Sequence, residues 1–242
     1  MISVCMASYN GERYIYHQIT SILKQLGPND ELVISDDGSK DNTAQIVKNI
    51  HDKRIKFIQN EGIHGFTHNF ENALSHAKGD YIFLSDQDDI WLDDKIQVMM
   101  SFLKKYSFVI SDCKTVDDNM NVIQESRFKA FDIKLGFLRH IVKSRFLGCC
   151  MAMRREVIEA SLPFPKDDSL VEHDIWLAAV AMLYFDVALI NQPLILYRRH
   201  NSNASDGGFD KGYSLYNKVC RRLYRLWELF KIKRRVTMVK DK

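Results

Sequence analysis

The segment of residues 81–91, with the sequence YIFLSDQDDIW, constrains the fold more than any other part of this 242-residue chain. Its apolar start predicts a buried strand, and three carboxylates follow within residues 86–89. Ligands of α/β proteins bind beyond the carboxyl ends of strands, and like charges crowded there repel unless a cation or solvent compensates them. The segment therefore predicts a divalent cation that bridges carboxylates to a phosphate-bearing substrate, against the alternative of a solvated acidic turn.

Composition sets the scale of the fold and excludes several classes of protein. With 46% hydrophobic and 27% charged residues, the chain fits one large α/β domain or a domain with an appendage. No secretory signal precedes the strand-like residues 2–6, and no apolar run approaches the ~18 residues of a spanning helix. The five cysteines show neither a disulfide-rich density nor a Cys-x-x-Cys metal spacing, so we expect a cytoplasmic protein.

Short apolar runs alternate with helix-compatible stretches in the first half of the chain. The patterns predict strands at residues 2–6, 31–35, 55–59 and 81–84, and helices at residues 12–25, 41–51 and 66–78. Alternation at these lengths is typical of a parallel, doubly wound sheet with helices on its faces. The fold class is therefore α/β.

The second half of the chain is less regular. It predicts a helix at residues 173–184, strands at 108–111, 122–124, 186–190 and 194–198, and a buried, extended segment at 147–153. A stretch rich in Ser, Asn, Asp and Gly at residues 201–212 is the one compositional break. We therefore expect a body of residues 1–200, and a polar linker followed by a helical tail over residues 201–242.

Two further loops are expected at the edge of the sheet that carries the acidic segment. The sequence ASYNG at residues 7–11 follows the first strand, and DDGS at residues 36–39 ends the second. These loops could hold a base and ribose while a metal-bound diphosphate lies over residues 86–88. The chain has no Gly-x-x-x-x-Gly-Lys-Ser/Thr loop and no Gly-x-Gly-x-x-Gly after the first strand, which argues against an ATPase and a dinucleotide oxidoreductase. Taken alone, residues 36–39 could equally be a turn that leads into a helix cap.

These motifs together resemble the inverting glycosyltransferases of family 2, which have the GT-A fold. The resemblance spans about residues 2–200 and rests on MASYNG (6–11), VISDDGSKDNT (33–43), NEG (60–62), SDQDDIW (85–91), EHDIW (172–176) and YRRHNSN (197–203). The last three are similar to bacterial enzymes that add rhamnose or related sugars to surface polysaccharides. A mostly parallel central sheet is implied, with a nucleotide-sugar half at residues 1–105 and an acceptor half at residues 106–200.

The resemblance also implies which residues bind the donor and a metal. The implied donor contacts are Ala7, Tyr9, Asn10, Asp36, Asp37 and Asp86. Asp37 would accept a hydrogen bond from a pyrimidine N–H, and Asp86 would contact the ribose, or the metal through water. Asp88 would bind Mn²⁺ or Mg²⁺ directly, with His200 as a further candidate ligand. A solvated or internally satisfied histidine is the alternative for His200.

The implied acceptor side centres on Asp174, the expected general base that deprotonates an acceptor hydroxyl. His173, Trp91 and Trp176 are the other residues expected there. Structural alternatives remain for each: residues 172–174 could be an exposed helix N-terminus where acids meet the helix dipole, and the two tryptophans could simply pack in the core. The family usually has Glu-Asp where this chain has His173 and Asp174.

The function implied by the resemblance is metal-assisted transfer of a sugar, by single displacement, in bacterial surface polysaccharide or glycoconjugate synthesis. The donor would be a UDP- or dTDP-sugar, and the acceptor a glycan carried on a lipid or a protein. One alternative is a non-catalytic member that binds a nucleotide sugar or a partner, and another is an enzyme that glycosylates an adhesin. A nucleotidyltransferase is disfavoured, because the chain lacks a Gly-rich triphosphate loop near its amino terminus.

The tail carries the positive charge of the chain. Residues 211–242 contain eleven Lys and Arg against two acids, a net charge of +9, so the preceding residues carry about −6 of the overall +3. This balance does not predict nucleic-acid binding. Apolar residues recur at helical spacing and predict an amphipathic helix: Tyr216, Val219, Leu223, Leu226, Trp227 and Phe230. Such a helix could lie on the inner face of the cytoplasmic membrane, form a homo-oligomer, or dock on its own domain.

Overall fold

A computed structural model describes residues 1–200 and 214–241 of the chain. The predicted polar linker at residues 201–212 lies outside the described residues. Within them, no helix combines the length and the apolar content needed to cross a membrane.

Nine strands and ten α-helices make up the described part of the chain. The strands are β1 (Ile2–Ser8), β2 (Glu31–Asp36), β3 (Ile55–Gln59), β4 (Tyr81–Ser85), β5 (Ile90–Trp91), β6 (Phe108–Val116), β7 (Val122–Gln124), β8 (Met151–Arg154) and β9 (Val187–Arg198). The helices are α1 (Ile15–Leu23), α2 (Thr43–Asn49), α3 (Phe66–His76), α4 (Lys95–Leu103), α5 (Arg127–Ala130), α6 (Phe137–Val142), α7 (Arg155–Ser161), α8 (His173–Tyr184), α9 (Leu215–Lys231) and α10 (Lys233–Lys240).

One sheet runs through the whole body in the order β3-β2-β1-β4-β8-β6-β9-β5, with β7 paired to β6. The first four strands are mutually parallel, as the alternation of short apolar runs and helices predicted. Strands β1, β2 and β4 lie inside the sheet and are almost entirely buried, which is why they are continuous apolar runs in the sequence. Their carboxyl ends meet at one edge, where Ser8 pairs with Asp36 and Met6 pairs with Ser85.

The second half of the sheet is mixed rather than mostly parallel. Strand β8 is antiparallel to both β4 and β6, and β5 is antiparallel to β9, whereas β6 and β9 are parallel. The two strands predicted at residues 186–190 and 194–198 form the single strand β9. The polar interruption before Pro193 is a bulge, since Ser111 pairs with Ile190 and Asp112 pairs with Pro193. A proline at a bulge costs no hydrogen bond of the ladder, so the strand continues through it.

A buried amide joins the ends of the first two strands. The Asn69 Nδ2 atom, on α3, donates to the carbonyl oxygens of Ser8 (3.1 Å) and Ser35 (2.9 Å). The backbone N–H of Asp37 also donates to the Ser8 carbonyl oxygen, at 2.9 Å. These bonds anchor the start of the two loops that leave the sheet edge to the buried end of the sheet.

Gly79 provides a test of the packing that aligns β1 with β4. A Cβ atom at this position would lie 2.5 Å from the backbone nitrogen of Ser3. We expect Gly79→Ala to lower the free energy of unfolding by about 1–3 kcal/mol, because a backbone neighbour cannot move aside as a side chain would. Urea denaturation measures the effect. The control is Gly62→Ala, whose Cβ would lie 3.4 Å from the Asn60 side chain; an equal loss in both variants would contradict the expectation.

Candidate active site

A cleft of about 500 Å³ opens at the edge of the sheet where β1, β2 and β4 end. Residues at the start of α8 and after the end of β9 also line it. Nine of the twelve residues expected from the sequence line this cleft: Ala7, Tyr9, Asn10, Asp37, Asp86, Asp88, His173, Asp174 and His200. The structure therefore brings together motifs that lie up to 193 positions apart, from Ala7 to His200.

Gln87, between the two aspartates that line the cleft, joins the loop after β4 to the loop after β1. Its Oε1 accepts from the Tyr9 N–H and its Nε2 donates to the Tyr9 carbonyl oxygen, both at 2.9 Å. A Cβ at position 11 would lie 2.2 Å from Gln87 Oε1, so Gly11 leaves room for this pairing. The Tyr9 side chain remains 52% exposed, which leaves its ring open to a planar ligand. Sequence analysis missed Gln87, although its position inside the acidic motif could have indicated it.

The two aspartates at the end of β2 have different surroundings. The Asp37 carboxylate lines the cleft and is held by Asn60 Nδ2 (2.8 Å), His64 Nδ1 (3.0 Å) and the Gly65 N–H (2.8 Å). Asp36 is buried away from the cleft and accepts from the hydroxyl groups of Ser8 (3.0 Å) and Ser39 (2.6 Å). The expectation that Asp36 contacts the donor is therefore corrected: it braces the two loops. The reason is the alternation of side chains along a strand, which turns one aspartate inward and leaves the next outside.

Carboxylates from β4 and α8 face one another across the cleft. Burial raises the pKa of Asp86 to about 7, and the neighbouring charges of Asp88 and Asp174 add to the rise. Such a raised pKa means that the ionised form lacks compensation within the protein itself. A cation placed among these groups would supply it, and hard oxygen ligands suit Mn²⁺ or Mg²⁺.

A second set of candidate ligands lies deeper and includes Asp89, the third carboxylate of the acidic segment. Oxygen atoms of Asp86 and Asp89 lie with the Cys149 sulfur within 4.8 Å of one another. Asp89 is completely buried and its Oδ1 accepts from the Arg198 N–H at 3.0 Å. Burial and the neighbouring aspartates hold the pKa of Asp89 well above its usual range, and the Cys149 thiol pKa is also raised. Protonated groups of this kind are poor ligands for a hard cation, so Asp86 and Asp88 remain the better candidates.

The end of β9 clamps the acidic segment. The Arg198 guanidinium donates through Nε to the Asp88 carbonyl oxygen (2.8 Å) and through Nη1 to the Asp118 carbonyl oxygen (3.1 Å). His200 Nε2 lies 2.9 Å from Asp88 Oδ2, and the His200 ring stacks on Tyr14 with 4.8 Å between centroids. Arg198 thus fixes the backbone of the segment, and His200 fixes the Asp88 side chain. Arg198 was not among the residues expected at the site.

On the opposite side of the cleft, Asp174 lies in the first turn of α8. Its Oδ1 accepts from the Ile175 N–H at 2.6 Å, and burial raises its pKa to about 6. The adjacent His173 stacks on Phe70 at 4.2 Å, and burial lowers its pKa to about 4, so its ring is neutral at pH 7. Neither His173 ring nitrogen has a hydrogen-bond partner among the described residues. A Cβ at Gly148 would lie 2.9 Å from His173 Nε2, so a glycine is needed beneath the ring.

Trp91 and Trp176 do not reach the cleft, and the expectation that they line it is corrected. Their side chains are only 2% and 1% exposed. Trp176 Nε1 donates to the Ser161 carbonyl oxygen at 3.0 Å, and the Lys95 Nζ atom lies 4.4 Å from the Trp91 ring centroid. Both rings fill the core beneath the loops, since their large apolar area is worth more when buried.

The fold and the cleft define a GT-A glycosyltransferase domain. The sequence profile of "Glycosyl transferase family 2" matches residues 3–162. The chain therefore belongs to glycosyltransferase family 2, as the resemblance of its motifs implied.

One relative and two solved structures illustrate the likeness. The relative is an Escherichia coli protein, UDP-Glc:alpha-D-GlcNAc-diphosphoundecaprenol beta-1,3-glucosyltransferase WfgD, 37% identical over 121 residues, which are 49% of this chain and 48% of that protein. The chain therefore matches about half the length of this relative. Staphylococcus aureus TarS 1-349 in complex with UDP-GlcNAc superimposes with a TM-score of 0.66 at 21% identity, covering 88% of this chain and 61% of that one. The mannosyltransferase PcManGT of Pyrobaculum calidifontis, in complex with GDP-Man and Mn²⁺, gives 0.63 at 19% identity, covering 95% and 64%.

The raised pKa of Asp174 predicts how stability depends on pH. Its carboxyl ionises near pH 6 in the folded chain and near its usual value of 3.8 when unfolded, so ionisation opposes folding increasingly as pH rises between these values. Asp174→Asn should therefore raise the free energy of unfolding by about 1–3 kcal/mol at pH 8 and by little at pH 4. Denaturation in a chelating buffer at pH 8 and at pH 4 measures both changes in the free energy of unfolding. Asp93→Asn, at an exposed carboxylate, is the control and should change neither; no gain at pH 8 in the Asp174 variant would contradict the assignment.

Proposed function

We propose that the chain catalyses inverting transfer of a sugar from a nucleoside-diphosphate donor to a hydroxyl group of a glycan acceptor. The observation that carries the proposal is that Asp86 and Asp88, just after β4, and Asp174, at the start of α8, line one cleft. The first pair suits a metal-bound diphosphate, and the third carboxylate suits an attacking hydroxyl. The family supports transfer of a sugar, and the E. coli relative supports a role in bacterial surface polysaccharide synthesis.

The donor would lie across the loops after β1 and β2. Ala7, Tyr9 and Asn10 offer a wall beside the nucleoside, and Asp37 offers a carboxylate to a base N–H. Three donors already hold the Asp37 carboxylate in place, so it would meet a base without reorganisation. A UDP- or dTDP-sugar fits these contacts. Residues 1–105 would thus form the donor half and residues 106–200 the acceptor half.

The residues of the cleft fit a divalent cation, because they offer the carboxylate oxygens of Asp86 and Asp88 close together, and because burial and the neighbouring charges raise the pKa of Asp86. Asp88 would bind it directly, with Asp86 beside it and His200 as a further candidate. A bound Mn²⁺ or Mg²⁺ stabilises negative charge on the departing diphosphate. The Mn²⁺ complex of the mannosyltransferase with the same fold supports this choice of metal.

Asp174 would act as the general base of a single displacement. It accepts the proton of the acceptor hydroxyl as that oxygen bonds to the anomeric carbon. The bond from the anomeric carbon to the diphosphate oxygen breaks at the same time, and its electron pair leaves with the nucleoside diphosphate. Attack opposite to the leaving group inverts the anomeric configuration. His173 fixes the start of α8 beside Asp174 through its stacking on Phe70.

The acceptor would be a glycan on a lipid, presented at the inner face of the cytoplasmic membrane. This part of the proposal follows the E. coli relative, whose name gives a diphosphoundecaprenol acceptor. The general test is a panel of UDP-, dTDP- and GDP-sugars, with a GlcNAc-diphospholipid acceptor, scored by release of nucleoside diphosphate. Release that depends on the acceptor supports the proposal, whereas no release from any donor in the presence of Mn²⁺ or Mg²⁺ would overturn it.

Asp88 provides the test of metal assistance. Asp88→Asn should lower the rate of transfer by about 100-fold or more, since loss of metal binding removes several kcal/mol of transition-state stabilisation. A chelator should inactivate the native protein, and added Mn²⁺ should restore it. Asp93→Asn is the matched control, because Asp93 is an exposed carboxylate that follows the same segment. Full turnover by the Asp88 variant would rule out this role.

Asp174 provides the separate test of the base. Asp174→Asn keeps the size of the side chain but cannot take a proton, so transfer should fall by about 100-fold or more while donor affinity stays unchanged. In the native protein, transfer should rise with pH through about pH 6 as Asp174 ionises. Rate measurements with the best donor of the panel, together with donor titrations, give both quantities. Loss of donor affinity at an unchanged rate would make Asp174 a donor contact instead.

A further inference from the structure

The helix α9 docks on the body through its basic side. Arg225 is 5% exposed and donates through Nη1 to the His140 carbonyl oxygen at 3.3 Å. Arg222 Nη2 donates to the Val142 carbonyl oxygen at 2.8 Å, and Arg221 bonds to the Ser169 carbonyl oxygen. These arginines cap the carboxyl end of α6 and a neighbouring turn, where cations are favoured. Leu229, at 1% exposure, is the apolar anchor of the same side.

The apolar stripe predicted from the sequence therefore faces outward. Its members are between 41% and 76% exposed: Tyr216, Val219, Leu223, Leu226, Trp227 and Phe230; Leu215, which was not among the predicted residues, is 75% exposed beside them. An amphipathic helix normally buries its apolar stripe against the core and turns its charges to water. This helix does the opposite, so docking on its own domain does not account for the stripe. A contiguous apolar surface of this kind marks a site of interaction.

Helix α6 extends the same surface. Arg222 joins α9 to the end of α6 at Val142, and Val142 is itself 61% exposed. Leu138, one turn earlier on α6, is 77% exposed. We call these two residues and the stripe of α9 the apolar face. It consists of Leu and Val together with Tyr, Trp and Phe, which are the side chains that settle at the boundary between water and lipid.

A basic cavity of about 210 Å³ lies beside the apolar face. Lys134, Arg139, Lys143 and Arg145 line it, and Asp132 is the one carboxylate in its lining. Lys134 and Arg139 both pair with Asp132, which leaves the lining with an excess of positive charge. His140 in the same wall has a pKa lowered to about 4 by burial, so it adds no charge at pH 7. Such a cavity suits a phosphate group held at the level of the apolar face.

We propose that the apolar face and the basic cavity together bind the surface of an anionic lipid bilayer. The apolar side chains would enter the boundary between headgroups and acyl chains, and the lysines and arginines of the basic cavity would bind anionic headgroups. The positive charge of the basic cavity argues against a second copy of the chain as the partner that covers the apolar face. Two copies joined by this surface would bring two basic cavities together.

The surface adjoins the acceptor side of the cleft. His140 Nε2 on α6 lies 2.9 Å from the Ile175 carbonyl oxygen, next to Asp174. Arg221 on α9 pairs with Glu172, which lines the cleft, at 3.7 Å. A bilayer on this surface would place membrane-borne acceptors next to Asp174. Binding to the bilayer does not depend on the proposed function, and only this delivery of an acceptor rests on it.

Flotation of the full chain with vesicles tests the apolar face. Vesicles of phosphatidylglycerol and phosphatidylcholine should bind the chain at least about tenfold more strongly than pure phosphatidylcholine. Trp227→Glu should weaken this binding by about tenfold or more, since it places a charge in the apolar face. Asn217→Glu is the matched control, because it adds the same charge to an exposed position of α9 outside the stripe. Equal losses in the two variants would overturn the proposal.

The basic cavity is tested in the same assay. Lys134→Ser with Lys143→Ser should weaken binding to the anionic vesicles by about tenfold, whereas Lys104→Ser with Lys105→Ser, at exposed lysines outside the cavity, should change it by less than about twofold. Equal losses of vesicle binding in the two double variants would show a general effect of charge and would overturn the proposed role of the cavity. Light scattering tests whether a second copy of the chain covers the apolar face instead. If the chain binds no vesicles and forms a dimer that Trp227→Glu dissociates, a second copy is the binding partner and the proposal is overturned. Transfer of the sugar to a water-soluble acceptor, measured as release of nucleoside diphosphate, tests the proposed function separately.

Discussion

Burial of carboxylates just after the end of β4 is the constraint on which the rest of the site depends. Asp86, Asp88 and Asp174 share one cleft, and the pKa of Asp86 is raised to about 7 by burial and by its two neighbours. The surrounding structure keeps the groups in place despite this cost: Arg198 holds the backbone, and His200 holds Asp88. A cation among these carboxylates would offset the cost of their ionisation, so the raised pKa of Asp86 and the proposed role of a metal have the same physical origin.

Local sequence patterns predicted the first half of the fold because its strands are short, buried and separated by regular helices. Strand β3 and helix α8 have the predicted bounds. The patterns failed where tertiary packing decides. Asp36 and Asp37 are adjacent in sequence but lie on different sides of a strand end, and Trp91 turns into the core although it follows the acidic motif directly. The contributions of Gln87 and Arg198 arise from contacts with backbone groups 78 and 110 positions away, which no local pattern contains.

In the tail, the sequence pattern did not predict how the helix is oriented on the body. Its helical period correctly predicted an amphipathic helix, but periodicity does not say which face meets the body. The structure turns the basic face inward because the carbonyl oxygens of His140 and Val142 accept from arginines. The apolar face is thereby left beside the acceptor side of the cleft. The cleft proposed to bind a nucleotide sugar and the surface proposed to bind lipid thus lie next to each other, an arrangement that would suit an enzyme acting on a membrane-borne glycan.

The most direct measurement of the central claim is calorimetric titration of the protein with UDP and dTDP, in Mn²⁺ and then in a chelating buffer. If the acidic cleft holds a metal and a nucleoside diphosphate together, each must raise the affinity for the other by the same factor. We expect at least one of the two nucleotides to bind about tenfold or more tightly with Mn²⁺ present, and Asp88→Asn to remove this difference. Binding of neither nucleotide, or equal affinity with and without the metal, would contradict the account.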